Sequence, residues 1–191
     1  VQKILTARSN GAQDGWILAK TSANTAGGTM NASATTLRLG DDAAKKQYRD
    51  TLSFTTQALP DGAVITKVTL RLKKSSITGG GDPITMFGGF MVDVKKGTFG
   101  TASLQLTDFG VAANKTVGPF KPALTSGWYS INLTAAKTFI NKLTTNGGLT
   151  QIRLRFKTPT NNDAVANYLN IFSGNAGVAS RPQLIVEYYV P

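Results

Sequence analysis

Two rows of cations alternating with apolar residues are the most chemically pointed features of this 191-residue sequence. Lys67, Arg71 and Lys73 fall on one face of the run Ala63 to Ser75, with Val64, Val68, Leu70 and Leu72 on the other. Arg153, Arg155 and Lys157 alternate in the same way with Ile152, Leu154 and Phe156. A period of two is the signature of a half-buried strand, so each row is expected to point outward. Were the two strands neighbours, the six cations would form one basic sheet face able to track spaced carboxylates or phosphates, and arginine forks suit both bidentately. The plainer alternative is two solvated faces, since lysine on exposed strands also guards against edge-to-edge aggregation. Net charge favours anionic partners: 21 Lys and Arg against 10 Asp and Glu give +11, with a pI of about 10.0.

Most catalytic chemistry is excluded by what is missing. With no His and no Cys, there is no Ser-His-Asp or Cys-His machinery, thiolate nucleophile, haem or iron–sulfur ligation, or ordinary zinc site. Glu187 is the sole Glu, and Asp50 and Asp93, although both in strand contexts, are not marked as the paired acids that glycoside hydrolysis needs. No enzyme activity and no cofactor are expected. Structural calcium is the one ion to consider, because Asp41-Asp42 and Asn161-Asn162-Asp163 are oxygen-rich loops; Asp41, Asp42 and Asp163 are the candidate ligands, with plain turn formation by Asx side chains as the alternative. Trp16, Trp128 and Tyr129 suggest a sugar-stacking platform, but Trp128 and Tyr129 must face opposite sides of one strand. None of the six cations has an exposed aromatic two positions away on its own strand, so a specific nucleic-acid partner is not expected.

These side chains must be positioned by many short strands. Besides the two rows, Lys3–Arg8, Trp16–Lys20, Thr36–Leu39, Gln47–Thr55, Ile84–Val94, Trp128–Leu133, Asn167–Phe172 and Gln183–Val190 read as strands, separated by Gly, Asn, Pro and Asp clusters. Gly88-Gly89 suggests a bulge or a split. One short helix is expected from Thr134, as N-cap, through Leu143, closed by Asn146-Gly147-Gly148. The pattern predicts an all-β antiparallel sandwich of jelly-roll or Greek-key type, in a single domain over residues 1–191.

The order of several segments carries a family resemblance. Thr36-Leu-Arg-Leu-Gly40, Tyr48-Arg-Asp-Thr-Leu-Ser-Phe54, the run Ala58 to Leu72, Gly127-Trp-Tyr-Ser-Ile-Asn-Leu-Thr134, Phe172-Ser173 and Arg181-Pro-Gln-Leu-Ile-Val-Glu-Tyr188 together resemble the DNRLRE family of extracellular β-sandwich domains. The resemblance implies a secreted, non-catalytic module, some of whose relatives bind acidic polysaccharides such as alginate. It supplies no ligand-binding motif residue by residue. Residues 79–122 match nothing in the pattern, and a Trp-rich middle stretch is absent.

The N-terminus offers a second route to function. Lys3, Ile4, Leu5 and Arg8 lie on a short apolar strand, followed by the polar link Ser9-Asn-Gly-Ala-Gln-Asp-Gly15. That strand has two destinations: its own sandwich, or a groove in the next subunit, where strand addition would propagate head to tail. A start at Val1, with no signal-peptide shape, leads us to expect an export-processed chain outside the cell or on its surface. No run reaches the 18 or more apolar residues of a membrane span. Sequons occur at Asn31, Asn114 and Asn132. Two functions are therefore expected in order: a structural subunit of an extracellular fibre or surface assembly, and a binding module for an anionic polysaccharide.

Overall fold

A computed structural model describes residues 1–191. Twelve strands run antiparallel throughout: β1 (Lys3–Arg8), β2 (Gly15–Ala19), β3 (Gly27–Asn31), β4 (Thr36–Asp41), β5 (Gln47–Thr55), β6 (Val64–Thr78), β7 (Phe90–Lys96), β8 (Lys115–Phe120), β9 (Trp128–Asn132), β10 (Leu149–Phe156), β11 (Asn167–Phe172) and β12 (Gln183–Tyr189). The hydrogen-bonded path is β1-β12-β6-β11-β4-β5-β10-β7-β8, with β9 added on β6, β2 on β5 and β3 on β2. Six of the eight neighbouring pairs on this path are non-consecutive in sequence, as in Greek-key connections.

The path curls back on itself because both ends of it have one apolar face to bury. Val68, Leu70 and Leu72 of β6, Leu184 and Val186 of β12 and Ile131 of β9 share a single core with Leu52 and Phe54 of β5, Ile152, Leu154 and Phe156 of β10, and Val92 and Val94 of β7. Phe90 of β7 meets Tyr129 of β9, strands that do not pair, with ring centroids 5.9 Å apart. The result is the expected antiparallel sandwich, whose first wall is β1-β12-β6-β9. β6 belongs to both walls: its first part pairs with β12 and β9, its last part with β11.

The expected helix is corrected. Thr134–Phe139 is a 3-10 helix, and the Thr134 hydroxyl, instead of capping it, accepts the Val68 N–H at 3.1 Å. The one α-helix, α1 (Pro83–Met86), lies where a strand beginning at Ile84 was expected; Asp82 caps it, and Pro83 occupies its first turn. Gly88-Gly89 is the turn between α1 and β7, both residues having positive φ. A bulge opposite Glu187 and Tyr188 also reverses the start of β6, so that Ile65 is buried and Val64 exposed.

A second, smaller core covers the outer side of the other wall. The segment between β7 and β8, including the 3-10 turn Leu106–Phe109, folds over β2, and Leu104 and Phe109 bury Ile17 and Ala19. This covering segment changes the fate of one of the two cation rows.

Candidate binding face

The two rows do not meet. β6 and β10 are separated on the path by β11, β4 and β5. Their apolar residues enter the one core from opposite walls, so their alternate side chains face opposite outer surfaces. The expectation of one six-cation face is therefore overturned.

The β10 row is also largely withdrawn from solvent. Arg153 is 5% exposed. Its Nε and Nη2 lie 2.9 and 2.8 Å from Asp93 Oδ2, and its Nη1 donates to the carbonyls of Asp108 and Val111 at 2.7 and 2.8 Å. Arg155 donates to both oxygens of the same carboxylate at 3.2 and 3.3 Å. Burial alone would raise the Asp93 pKa, but hydrogen bonds from Arg155 and Thr116 and the charges of Arg153 and Arg155 outweigh it and hold the carboxyl below its ordinary value. Arg49 joins the same layer with its guanidinium 4.0 Å from the Phe109 ring centroid; burial, then the neighbouring arginines, push its pKa down to about 10. Lys157 follows the end of β10 and is exposed beside Gly88. Arg153 and Arg49 hold the covering segment in place, and the β10 residues present no basic row.

The β6 row behaves differently, because nothing covers it. Lys67 is neutralised by Glu187 at 3.2 Å. Arg71 and Lys73 form no salt bridge. Trp128 on β9 stands opposite Lys73 and diagonal to Arg71, with the Arg71 guanidinium 4.6 Å from its ring centroid and the Lys73 ammonium 5.9 Å away. The Lys73 ammonium is also 5.7 Å from the Phe172 ring and donates to the Ser180 hydroxyl at 3.1 Å. Trp128 is placed by a tight turn: Ser126 and Gly127 both have positive φ, as a type I′ turn requires, and Thr125 and Trp128 exchange backbone hydrogen bonds of 2.9 and 3.0 Å. Tyr129 points the other way, into the core. The aromatic neighbour absent along the strand is supplied across it.

From Phe172 the outer face continues onto β4. Asn170 lies opposite Arg38, and Phe172 opposite Thr36, while Leu37, Leu39, Leu169 and Ile171 turn inward to the core. The Arg38 guanidinium sits within 4.9, 5.6 and 5.2 Å of the ring centroids of Trp16, Tyr48 and Tyr168 and donates to the Tyr48 hydroxyl at 3.2 Å. It too forms no salt bridge. One outer surface thus carries Trp128, Arg71, Lys73, Phe172, Arg38, Tyr168 and Trp16. Arg38, Phe172 and Tyr168 escaped the sequence reading because β4 and β11 alternate too briefly to show which outer face they share.

Beneath Arg38 lies a buried carboxylate. Asp50 Oδ1 accepts the Arg38 backbone N–H at 3.2 Å, and its Oδ2 has no partner. Burial, reinforced by nearby Asp14, pushes its pKa well above the carboxylate range. Asp14 accepts from the Ser9 hydroxyl at 2.7 Å and the Gly174 N–H at 2.6 Å, and burial outweighs both bonds and the charge of Arg181 to raise it to about 6. Asp50 and Asp93 lie on opposite sides of β10, opposite Leu154 and Arg153 respectively.

Of the three candidate calcium ligands, Asp41 and Asp163 are neighbours that share Asn161, and Asp42 stands apart from them. Asp42 bonds its own turn, accepting from Ala44 and Lys46, and pairs with the Lys46 ammonium at 3.5 Å. Asp41 accepts the Asn161 N–H at 3.3 Å, and Asp163 is engaged by Asn161, Val165 and Asn167. No three acidic side chains converge on one point.

Of the two destinations for the N-terminal strand, the structure has the first. All six residues of β1 pair in register with β12 of the same chain, and Leu5 and Ala7 pack on the core. Lys3, Ile4 and Arg8 are exposed, and the other edge of β1 is unpaired. No helix is long and apolar enough to cross a membrane. No protein-family model matches the chain, and no curated protein matches it in sequence.

Proposed function

We propose that the chain is a non-catalytic, extracellular binding domain for an anionic polysaccharide, a polyuronate such as alginate, which it meets on the outer surface of β9, β6, β11 and β4. One observation carries the reading. Arg71, Lys73 and Arg38 are cations without a counter-carboxylate, each set against aromatic rings on one uncovered surface. Aromatic faces stack on the apolar side of a sugar ring, and guanidinium forks take carboxylates bidentately. The likeness to DNRLRE-type domains agrees with this reading.

Affinity electrophoresis through gels containing alginate tests it, with a neutral polysaccharide as control. The expected result is retardation by alginate, abolished in Trp128→Ala and in Arg71→Glu. Unchanged retardation of Trp128→Ala would overturn the placement of the site.

A second reading, the subunit of a fibre or surface assembly, is favoured by the unpaired outer edge of β1, where Ile4 is 64% exposed. Because β1 already completes its own wall, such an assembly joins subunits by edge-to-edge pairing and leaves each sandwich closed. Negative-stain electron microscopy of the full chain separates the readings: ordered fibres that vanish in Ile4→Lys support assembly, and dispersed particles remove it.

A further inference from the structure

A cleft of about 450 Å³ opens at the start of β6, away from the surface just described. Its floor is apolar, formed by buried Ile65 and Ile140, and three lysines from separate parts of the chain surround it. Lys96 ends β7, Lys137 belongs to the 3-10 helix Thr134–Phe139, and Lys142 follows that helix. The Lys142 ammonium is fixed at the rim by the carbonyls of Asp61 and Ala63, at 2.7 and 2.9 Å. That leaves it one N–H to offer. The ammonium groups of Lys96 and Lys137 have no hydrogen-bond or ion-pair partner, and no carboxylate lines the cleft.

Three uncompensated cations around an apolar floor repel one another, and the floor weakens solvent screening of that repulsion. An anion in the cleft converts the cost into attraction. Ammonium groups are compact point charges without the planar fork that matches a carboxylate. Three of them reaching one cleft from separate parts of the chain suit a tetrahedral, doubly charged oxyanion. We infer that this cleft is a separate binding site for a phosphate or sulfate ester carried on a small, partly apolar group such as a sugar ring.

The test is an NMR titration of the full chain, following backbone amides with inorganic phosphate, sulfate and acetate at constant ionic strength and about pH 8. Saturable shifts at Lys96, Lys137 and Ile140 are expected with a tetrahedral anion, with acetate about tenfold weaker, a difference of about 1.4 kcal/mol. Phosphate binding alone assigns phosphate esters, and sulfate binding alone assigns sulfate esters. The double variant Lys96→Ala, Lys137→Ala should bind the same anion about tenfold more weakly with an unchanged thermal midpoint, because neither ammonium bonds within the fold. Equal binding of acetate, shifts spread over all lysines, or undiminished affinity of the double variant would overturn the inference. Trp128→Ala should leave the titration unchanged, so failure here is distinguishable from failure of the polysaccharide reading.

Discussion

Arg153 and Asp93 form a buried ion pair, with Nη2 2.8 Å from Oδ2 and side chains only 7% and 1% exposed. The pair sits on the outer side of β10 and β7, yet the segment between β7 and β8 seals it from water. Breaking a buried pair costs about 3 to 5 kcal/mol where the other charge is left unpaired; here Arg155 still bonds both Asp93 oxygens, so the lower end, about 3 kcal/mol, applies. Arg153→Ala is accordingly expected to lower unfolding free energy by about that amount in a urea titration. Lys at this position should restore only a minor part, because it lacks the fork that reaches Asp93, Asp108 and Val111 together.

The raised pKa of Asp14 gives a pH dependence of definite sign. The folded state holds this proton more tightly than the unfolded chain, so the stabilisation is complete below about pH 3.8 and is lost as pH rises through about 6. The difference corresponds to about 3 kcal/mol. Asp14→Asn should therefore flatten the slope of stability against pH between about 4 and 6 relative to wild type, measured by denaturant titration across that range. A parallel slope in the two proteins would show that Asp14 titrates normally.

Lys67 and Lys73 lie on the same strand and the same outer face but should not contribute equally to polyanion binding. Lys67 is already paired with Glu187, whereas Lys73 has no carboxylate partner and lies between two aromatic rings. Lys73→Ala is expected to weaken alginate binding about fivefold to tenfold, and Lys67→Ala by less than about twofold. Isothermal titration of both variants decides the matter.

Deletion of residues 1–10 should do more than remove a contact strand. It strips Leu5 and Ala7 from the core, exposes the β12 edge and removes Ser9 from Asp14. A loss of about 3 kcal/mol and a tendency to aggregate are expected, read by urea denaturation and size-exclusion chromatography. A deletion variant as stable and monodisperse as the full chain would show that β1 is dispensable to the sandwich.

Much of the fold was legible in the sequence. Lys3–Arg8, Gln47–Thr55 and Asn167–Phe172 have the predicted strand boundaries, because their alternation ends at turn-forming residues. β3 escaped because Gly27-Gly28-Thr29-Met30-Asn31 has no alternation, being an exposed edge that pairs only with β2. β8 is not among the expected strands, and Gly118-Pro119 inside it interrupts any alternation. The misjudged cation row has a different cause. Period two distinguishes the two faces of a strand but does not say whether the non-core face meets water or another part of the chain. Phe99, Leu104 and Phe109 were the available signal: three large apolar residues in a segment without strand periodicity must pack on something. Trp128 and its cations were individually visible, but their meeting depends on the β6–β9 register, which no local pattern encodes.

The fifteen-residue β6 strand, shared by both walls, ties the sandwich into one cooperative unit. Neither wall can release its backbone amides to deuterium without disturbing a strand on which the other depends. Amides at the centre of β6 should therefore be the slowest to exchange in the molecule, and those of β12, β11 and β9 should open together with them in a single global event.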